Sequence, residues 1–481
     1  MSLENLEPKL LWKHFAALSA IPRGSKNEKA VAAHVVAEAK RMGLAVRQDQ
    51  AGNVIVTKPA TSGMEKAKPT IIQGHLDMVC EKNEATRHDF AKDPIRLKVD
   101  GEWVKADGTT LGADNGIGCA AGLAVMESKD LKHGPLEFLF TIDEETGLTG
   151  AFNLEPGSLQ GRQLLNLDTE EEGAIYIGCA GGMDSVARRK VALVDSGAGK
   201  AAFRLKVTGL KGGHSGLDIN TGRGNALKIL ARALRSLAAD FQPEIATLEG
   251  GSKRNAIPRE AFAVVYLDPG KLDALKAVLA KLQAAVRQEL GKADPDLQLL
   301  VEPTQGPGKV FQPADAARVV SFLHACLHGT LAMTADIPDL VQTSTNLAIV
   351  ETKGDQVSVS MSHRSSVDSA KKDVGAMIRS YCELAGFEVE QGSGYPGWAP
   401  NVASPLLGVA KKLHQDLFGK EAHVKAVHAG LECGIIGEKF PGMDTISIGP
   451  TIIGAHSPDE KLHVPSVGTF WKFVVALLER A

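Results

Sequence analysis

The sequence lacks several features that would place it in other classes of protein. Its six cysteines are scattered and form no C-x-x-C pair, which argues against a disulfide framework or a thiolate zinc site. No window contains about 18 uninterrupted apolar residues, so we expect no membrane span. There is no basic run and no interleaving of basic with aromatic residues, and the formal net charge is −3. Neither nucleic acid nor an anionic membrane is therefore an expected partner.

The amino-terminal residues contain neither a basic n-region nor an apolar h-region, so we expect no secretory signal. Together with the scattered cysteines, this predicts a cytoplasmic protein. The chain has 481 residues, which exceeds what one hydrophobic core usually serves, and two domains are expected.

The order of the predicted elements indicates where these domains lie. Strands and helices alternate over the first part of the chain, with polar residues directly after apolar strands, which predicts an α/β domain with its site at the carboxyl edge of the sheet. Two rounds of strands and helices then predict an antiparallel sheet with helices on one face, before the α/β pattern resumes. We predict a catalytic domain over residues 1–184 and 391–481, and an inserted α+β domain over residues 185–390.

The stretch at residues 70–79 carries the first chemical signal. It begins with apolar β-branched residues and places His75 and Asp77 two residues apart. Side chains repeat with period two in a strand, so both point to the same side. This pair offers an imidazole ligand with a carboxylate close behind it.

Further acidic and imidazole side chains complete a ligand set of mixed nitrogen and oxygen atoms. Asp114 lies in a Gly-Ala-Asp-Asn-Gly turn, Glu144 and Glu145 follow a buried strand, Asp168 ends the next strand, and His456 lies in a late loop. Such ligands suit Zn²⁺, Mn²⁺ or Co²⁺. Two histidines and three carboxylates suit two ions that share a bridging carboxylate. A further carboxylate beside them can act as the general base.

These residues lie in motifs that resemble those of the dinuclear zinc exopeptidases, a family that includes aminoacylase, carnosinase and carboxypeptidase G-type enzymes. The resemblance covers nearly the whole chain and is closest to bacterial dipeptidases that act on Xaa-His substrates. Each motif is weak alone, but their joint occurrence in this order is specific. The motifs are HLDMV at 75–79, TLGADNGIG at 110–118, EETG at 144–147, NLDTEEEG at 166–173, GCAGG at 178–182, GGHSG at 212–216, RNAIPR at 254–259, HAGLECG at 428–434, IGPT at 448–451 and HSPDE at 456–460.

The resemblance implies a fold and a metal centre. The fold is α/β, with a zinc-exopeptidase catalytic domain whose mixed sheet is flanked by helices, and the inserted α+β domain acts as a lid. His75, Asp114 and Asp168 are implied to hold one metal ion, while Asp114, Glu145 and His456 hold the other, so that Asp114 bridges. The two divalent ions are expected to be zinc, with cobalt or manganese as alternatives. In the family, the peptide bond that follows the bridging aspartate is often cis.

The resemblance also implies catalytic roles for Asp77 and Glu144. Asp77 would orient His75 from behind the metal. Glu144 would act as the general base towards the water that bridges the metals, and would pass the proton to the leaving amine. The attacking species is then a metal-bridging hydroxide.

Substrate contacts are implied for four residues of the inserted and late segments. His214 would hydrogen-bond the developing oxyanion. Asn255 and Arg364 would bind the free carboxylate of the substrate, since a guanidinium suits bidentate contact. Gly430 lies in a loop expected to meet the substrate. His363 is expected to be structural, because it faces the opposite side of the strand from Arg364.

The expected function is hydrolysis of unblocked dipeptides, with a preference for Xaa-His, including carnosine-like substrates, by a cytoplasmic homodimer. Closure of the lid would exclude water, and His214 could serve its own subunit or a neighbour's. One alternative is a related amidohydrolase that deacylates N-acyl amino acids. A non-catalytic metal-binding protein is disfavoured, because it would not need Asp77 and Glu144.

Overall fold

The computed structural model describes residues 3–335 and 337–480, which form two compact units. The outer unit contains the chain up to Gly178, Trp398–Ala426 and the chain from Leu431 onward. The inserted unit contains Cys179–Gly397 and Val427–Gly430. The sequence places domain boundaries after residues 184 and 390. These boundaries between separately folding domains remain predictions.

The outer unit is built on an eight-stranded sheet. Its four central strands run parallel, and the next strand on each side of them pairs antiparallel, so the sheet is mixed. In spatial order the strands are Ala45–Gln48, Val54–Lys58, Leu136–Thr141, Thr70–His75, Gln163–Asn166, Asp444–Ser447, Ala174–Cys179 and His423–Val427.

The central strands explain why this sheet has a single functional edge. Every residue of Thr70–His75, Leu136–Thr141 and Gln163–Asn166 is buried, as expected for parallel strands covered on both faces. Because these strands are parallel, their carboxyl ends lie at the same edge, where ligands bind in open α/β sheets. His75 is the last residue of the first of them.

Helices and a small sheet complete the outer unit. A four-stranded sheet contains Leu97–Asp100, Trp103–Ala106, Lys461–His463 and Ile452–Ile453. The helices are Leu3–Asn5 (3-10), Lys9–Ser19, Lys29–Arg41, Ala113–Glu127, Glu144–Gly147, Thr149–Asn153, Pro405–Phe418, Cys433–Lys439 and Val464–Arg480.

The inserted unit is built on a nine-stranded sheet in which the strands pair antiparallel, as the sequence predicts. In spatial order its strands are Gln298–Pro303, Ala201–Thr208, Ala261–Leu267, Glu244–Gly250, Val341–Lys353, Gln356–Ser365, Gly181–Lys190 and Glu388–Gln391, with Gly329–Met333 paired to Val341–Lys353. Two small pairs join Leu193–Asp195 to Lys309–Phe311 and Gly213–His214 to Ala256–Ile257.

Four long helices supply the rest of the core of the inserted unit. Buried residues such as Leu230, Leu279, Val319 and Ile378 join strand residues in one continuous apolar cluster. The helices are Ala226–Phe241, Leu272–Leu290, Pro313–Ala325 and Asp368–Ala385, with a 3-10 turn at Pro269–Lys271. Across the described residues of both units, no helix combines the length and apolar character that crossing a bilayer requires.

Candidate metal centre

His75 and Asp77 lie at the carboxyl edge of the outer sheet. The strand is shorter than the predicted stretch and ends at His75, yet the two side chains still meet, with His75 Nδ1 3.3 Å from Asp77 Oδ1. Asp77 also accepts hydrogen bonds from the backbone N–H groups of Glu144 (3.0 Å) and Glu145 (3.2 Å) and from the hydroxyl of Ser25 (2.8 Å). Asp77 therefore joins the histidine to the peptide that carries both glutamates.

Four of the five predicted metal ligands lie around the fifth, Asp114. His75 Nε2 lies 3.1 Å from Asp114 Oδ1 and 3.3 Å from Asp168 Oδ1. His456 Nε2 lies 3.0 Å from Asp114 Oδ2 and 3.1 Å from Glu145 Oε2. Each oxygen of Asp114 thus faces a different histidine, and each histidine has a further carboxylate beside it.

Asn115 holds this central aspartate in place. The helix Ala113–Glu127 has non-helical torsions at Asp114 and Asn115, and the peptide bond between them is cis. Asn115 accepts a hydrogen bond from the His75 backbone N–H (3.2 Å) and donates one to the Leu167 carbonyl (2.6 Å). A Cβ at Gly74 would lie 2.3 Å from Asn115 Oδ1, so this close approach requires glycine.

The donor set fits divalent cations. In a tetrahedral zinc site with bonds of about 2.0–2.1 Å, neighbouring ligand atoms lie about 3.3 Å apart, and the four separations above are 3.0–3.3 Å. Glu145 Oε1 is buried, and no residue in the described part of the chain offers it a hydrogen bond. The cluster His75, Asp114 and Glu145 can therefore hold a metal ion, and Asp168 and His456 extend it on either side.

The electrostatics of the centre favour positive charge. Hydrogen bonds to Asp114 and Glu145 raise the pKa of His456 to about 11. Burial alone would lower the pKa of His75, but Asp168, Asp114 and Asp77 hold it well above its ordinary value. Carboxylates that stabilise an imidazolium in this way also stabilise a divalent cation, so metal binding should release protons.

Glu144 lies close to the predicted metal ligands, but it takes part in none of the four histidine–carboxylate contacts described above. It follows Asp143, whose φ of 50° is in the left-handed region and whose carboxylate accepts hydrogen bonds from Thr146 and Thr149. Burial raises the pKa of Glu144 well above its usual range, with the charges of Asp168 and Glu145 acting in the same direction against that of His75. A carboxyl group whose pKa is raised is better suited to accept a proton and pass it on.

The predicted substrate-binding residues cluster within the inserted unit. Arg364 is buried and donates to the hydroxyls of Ser215 and Tyr395, both at 3.3 Å, and its Nη2 lies 3.5 Å from His214 Nε2. Arg364 and Asn255 line the same cavity of about 840 Å³. A Cβ at Gly430 would lie 3.0 Å from the Tyr395 ring. In the described part of the chain, no carboxylate forms an ion pair with Arg364.

Two backbone N–H groups orient the ring of His214. Its Nδ1 accepts hydrogen bonds from the backbone N–H groups of Gly216 (3.3 Å) and Leu217 (3.1 Å). A neutral ring that accepts at Nδ1 carries its proton on Nε2, so that atom is a donor. The 3.5 Å approach of Arg364 Nη2 to Nε2 then joins two donors and is not a hydrogen bond. His363, by contrast, bonds the hydroxyls of Ser185 and Thr345, both at 2.8 Å, and is a structural core residue.

A buried polar network beneath the centre was not predicted from the sequence. Glu432 accepts hydrogen bonds from Gln73 and Thr141, both at 2.6 Å, and Gln73 accepts one from Asn166 at 2.5 Å. Burial raises the pKa of Glu432 to about 7. Gln73 precedes His75 by two residues, so both side chains lie on the same face of the strand. This spacing is the feature of the sequence from which the network could have been predicted.

The fold and the centre together define the class of protein. The mixed sheet with a histidine–carboxylate cluster at its carboxyl edge, together with the inserted antiparallel unit, defines a two-domain α/β protein with a candidate metal centre. Residues 71–480 match the model of peptidase family M20/M25/M40, and the chain belongs to that family. The expected fold class and the peptidase assignment are confirmed.

Individual relatives support the closer resemblance. The chain is 43% identical over 477 residues to the cytosol non-specific dipeptidase of Escherichia coli (strain K12), covering 99% of this chain and 98% of that protein. The crystal structure of aminoacylhistidine dipeptidase from Vibrio alginolyticus superposes with a TM-score of 0.90 at 44% identity, covering 100% of this chain and 98% of the other. Aminopeptidase PepT from Bacillus cereus shares the fold, with a TM-score of 0.58 at 17% identity over 98% of both chains. The predicted resemblance to the Xaa-His dipeptidases is confirmed.

Proposed function

We propose that this protein is a cytoplasmic dipeptidase that hydrolyses unblocked dipeptides, with Xaa-His and carnosine-like dipeptides among its preferred substrates. The observation that carries the proposal is that each oxygen of Asp114 faces a different histidine, His75 or His456, and that each histidine has a second carboxylate beside it, Asp168 or Glu145. The names of the two relatives above 40% identity, both dipeptidases, support the same substrate class.

The proposed centre holds two divalent metal ions, most simply zinc, with cobalt and manganese as alternatives. His75, Asp114 and Asp168 would hold one ion, and Asp114, Glu145 and His456 the other. When bound, such a pair polarises a carbonyl group and acidifies a water molecule.

Glu144 and Asp77 then perform the proton chemistry and the positioning. Glu144 would take a proton from the attacking water and deliver it to the nitrogen of the leaving amine. Asp77 would keep the ring of His75 oriented, because its carboxylate faces His75 Nδ1 and leaves Nε2 for the metal. The hydrogen bonds from the backbone N–H groups of Glu144 and Glu145 to Asp77 fix the positions of these three residues relative to one another.

The inserted unit would recognise the substrate. Arg364 and Asn255 would bind the carboxylate of the dipeptide, and His214 would donate its Nε2 proton to the developing oxyanion. Gly430 would leave room for the substrate next to Tyr395. We further propose a homodimer, in which His214 acts in its own subunit or in the partner's.

A substrate panel tests the proposed function. We expect turnover of Ala-His, carnosine and Ala-Ala by the metal-loaded enzyme, with much slower release of histidine from N-acetylhistidine. The reverse order would favour the alternative amidohydrolase that acts on N-acyl amino acids. A protein that binds metal but cleaves neither class would be a binding protein, and the proposal would be rejected.

Arg364 should control affinity for the carboxylate. Replacing it by lysine keeps the charge but removes the bidentate fork. Loss of one charged hydrogen bond costs roughly 1.5–3 kcal/mol, so KM for Ala-His should rise about 10–100-fold while kcat changes less. Steady-state kinetics will check this. The matched control is Arg254→Lys, since Arg254 lines the same cavity but is exposed and paired with Asp184; an equal rise in both variants would contradict the assignment.

A further inference from the structure

The carboxylate of Glu460 lies in a nest of four successive backbone N–H groups. It is 2% exposed. Its Oε2 accepts from Leu111 (2.7 Å) and Gly112 (2.9 Å), and its Oε1 accepts from Ala113 (2.8 Å) and Asp114 (3.3 Å). The side chain therefore binds the backbone that ends at the central aspartate of the metal centre, and a nest of this kind is a strong site for an anion.

Glu460 belongs to the same short loop as His456. His456 has a φ of 62°, which costs a residue other than glycine roughly 1–2 kcal/mol and persists only where the surroundings hold it. Within the loop, the Glu460 N–H donates to the Ser457 carbonyl (3.1 Å) and the Ser457 hydroxyl donates to the Gly454 carbonyl (2.7 Å). The anchor at Glu460 thus fixes the end of the loop that begins near His456.

Arg23 holds the other side of the same backbone. Its buried guanidinium donates from Nη1 to the carbonyls of Leu76 (2.9 Å) and Asp77 (3.0 Å), and from Nη2 to the carbonyl of Gly112. A Cβ at Gly112 or Gly116 would lie 2.6 Å from Nη2, so both positions require glycine. The segment at 111–114 is held between a carboxylate that binds its N–H groups and a guanidinium that binds one of its carbonyls.

We infer that Glu460 is a positioning residue that fixes the distance between His456 and Asp114, and thereby the affinity of the metal site that these two residues share with Glu145. The inference rests on the proposed dinuclear centre. Glu460 contacts no donor atom of the centre, and acts through the backbone of Asp114 and through the loop of His456. Arg23 fixes the other half, because it joins the backbone after His75 to the same segment.

Glu460→Gln tests the inference through metal binding, followed by the visible absorption of Co²⁺ in a titration of the apoprotein. Wild type should bind two equivalents tightly. The variant should keep one tight equivalent and bind the second about 10–100-fold more weakly, the usual effect of losing a group that supports metal ligands. The variant's amide would place an N–H₂ group against backbone donors, where the wild type has only acceptors.

Glu137→Gln is the matched control. Glu137 is also buried and accepts backbone N–H groups, from Gln160 (3.1 and 2.9 Å) and Gly161 (2.7 Å). It lies near the amino end of the strand Leu136–Thr141, away from the carboxyl edge. The Glu137→Gln variant should have a lowered unfolding temperature, as Glu460→Gln does, but it should bind two equivalents of Co²⁺ like wild type.

Two further variants keep the inference falsifiable if Glu460→Gln folds poorly. Glu460→Asp retains the charge but shortens the reach, and should weaken the second equivalent less than Gln does. In a His456→Ala background, Glu460→Asp should cost little further affinity for the second ion, because coupled residues are not additive. Two tight equivalents in the folded Glu460 variants, or equal weakening in Glu137→Gln, would overturn the inference. If wild type itself bound no pair of Co²⁺ ions or cleaved no dipeptide, the proposed function would fail instead.

Discussion

Replacing Glu144 by glutamine is expected to reduce kcat for Ala-His by about 10²–10⁴-fold, the range that general acid–base catalysis contributes, while the metal content stays that of wild type. The amide cannot accept the proton of the attacking water. The metal ligands should be undisturbed, because it is the backbone N–H of Glu144 that binds Asp77, at 3.0 Å. Alanine at the same position should abolish turnover in the same way.

The neighbouring glutamate supplies the contrast for this prediction. Glu145 Oε2 lies 3.1 Å from His456 Nε2, so Glu145→Gln should lower the metal content together with the rate. Metal analysis after gel filtration and steady-state kinetics separate the two cases. Substantial turnover by a metal-loaded Glu144→Gln or Glu144→Ala enzyme would show that another group is the base.

The site could be predicted from the sequence to the extent that its side chains follow strand ends in recognisable motifs. The spacing of His75 and Asp77 indicates a shared face, and the structure brings them together although the strand stops at His75. The sequence did not predict the roles of three residues that act on backbone groups. Asn115, Glu460 and Arg23 bind carbonyls and N–H groups of distant segments, and such partners leave no pattern of spacing or composition.

The fold, too, could be predicted where it depends on a local sequence pattern and not where it depends on tertiary contacts. The apolar residues of Leu272–Leu290 and Asp368–Ala385 repeat at helical spacing, and both segments are helices. The strand Gly181–Lys190 was not predicted, since it opens with two glycines and closes with three basic residues. Its glycines have a tertiary cause: a Cβ at Gly182 would lie 2.6 Å from the Tyr395 ring. Glycine in a strand marks such close approach, which a local pattern cannot distinguish from a turn.

Asp114 is the position where one substitution should remove the whole centre. Its Oδ1 lies 3.1 Å from His75 Nε2 and its Oδ2 3.0 Å from His456 Nε2. Without this carboxylate, each proposed site keeps only one histidine and one acid, too few protein ligands to retain a divalent ion against water. Asp114→Ala should therefore lose both metal ions and reduce kcat/KM about 10⁴-fold, since the metal pair supplies several kcal/mol of transition-state stabilisation.

The His456→Ala variant is the control with which the metal content of Asp114→Ala should be compared. It removes a donor from one proposed site and leaves His75, Asp114 and Asp168 for the other, so it should keep one ion where Asp114→Ala keeps none. Elemental analysis of both dialysed variants distinguishes a bridging carboxylate from an ordinary ligand. If Asp114→Ala retained one tightly bound ion, the carboxylate would belong to a single site. The two histidines would then have to be supported by separate acids, with Asp168 and Glu145 as the remaining candidates beside them.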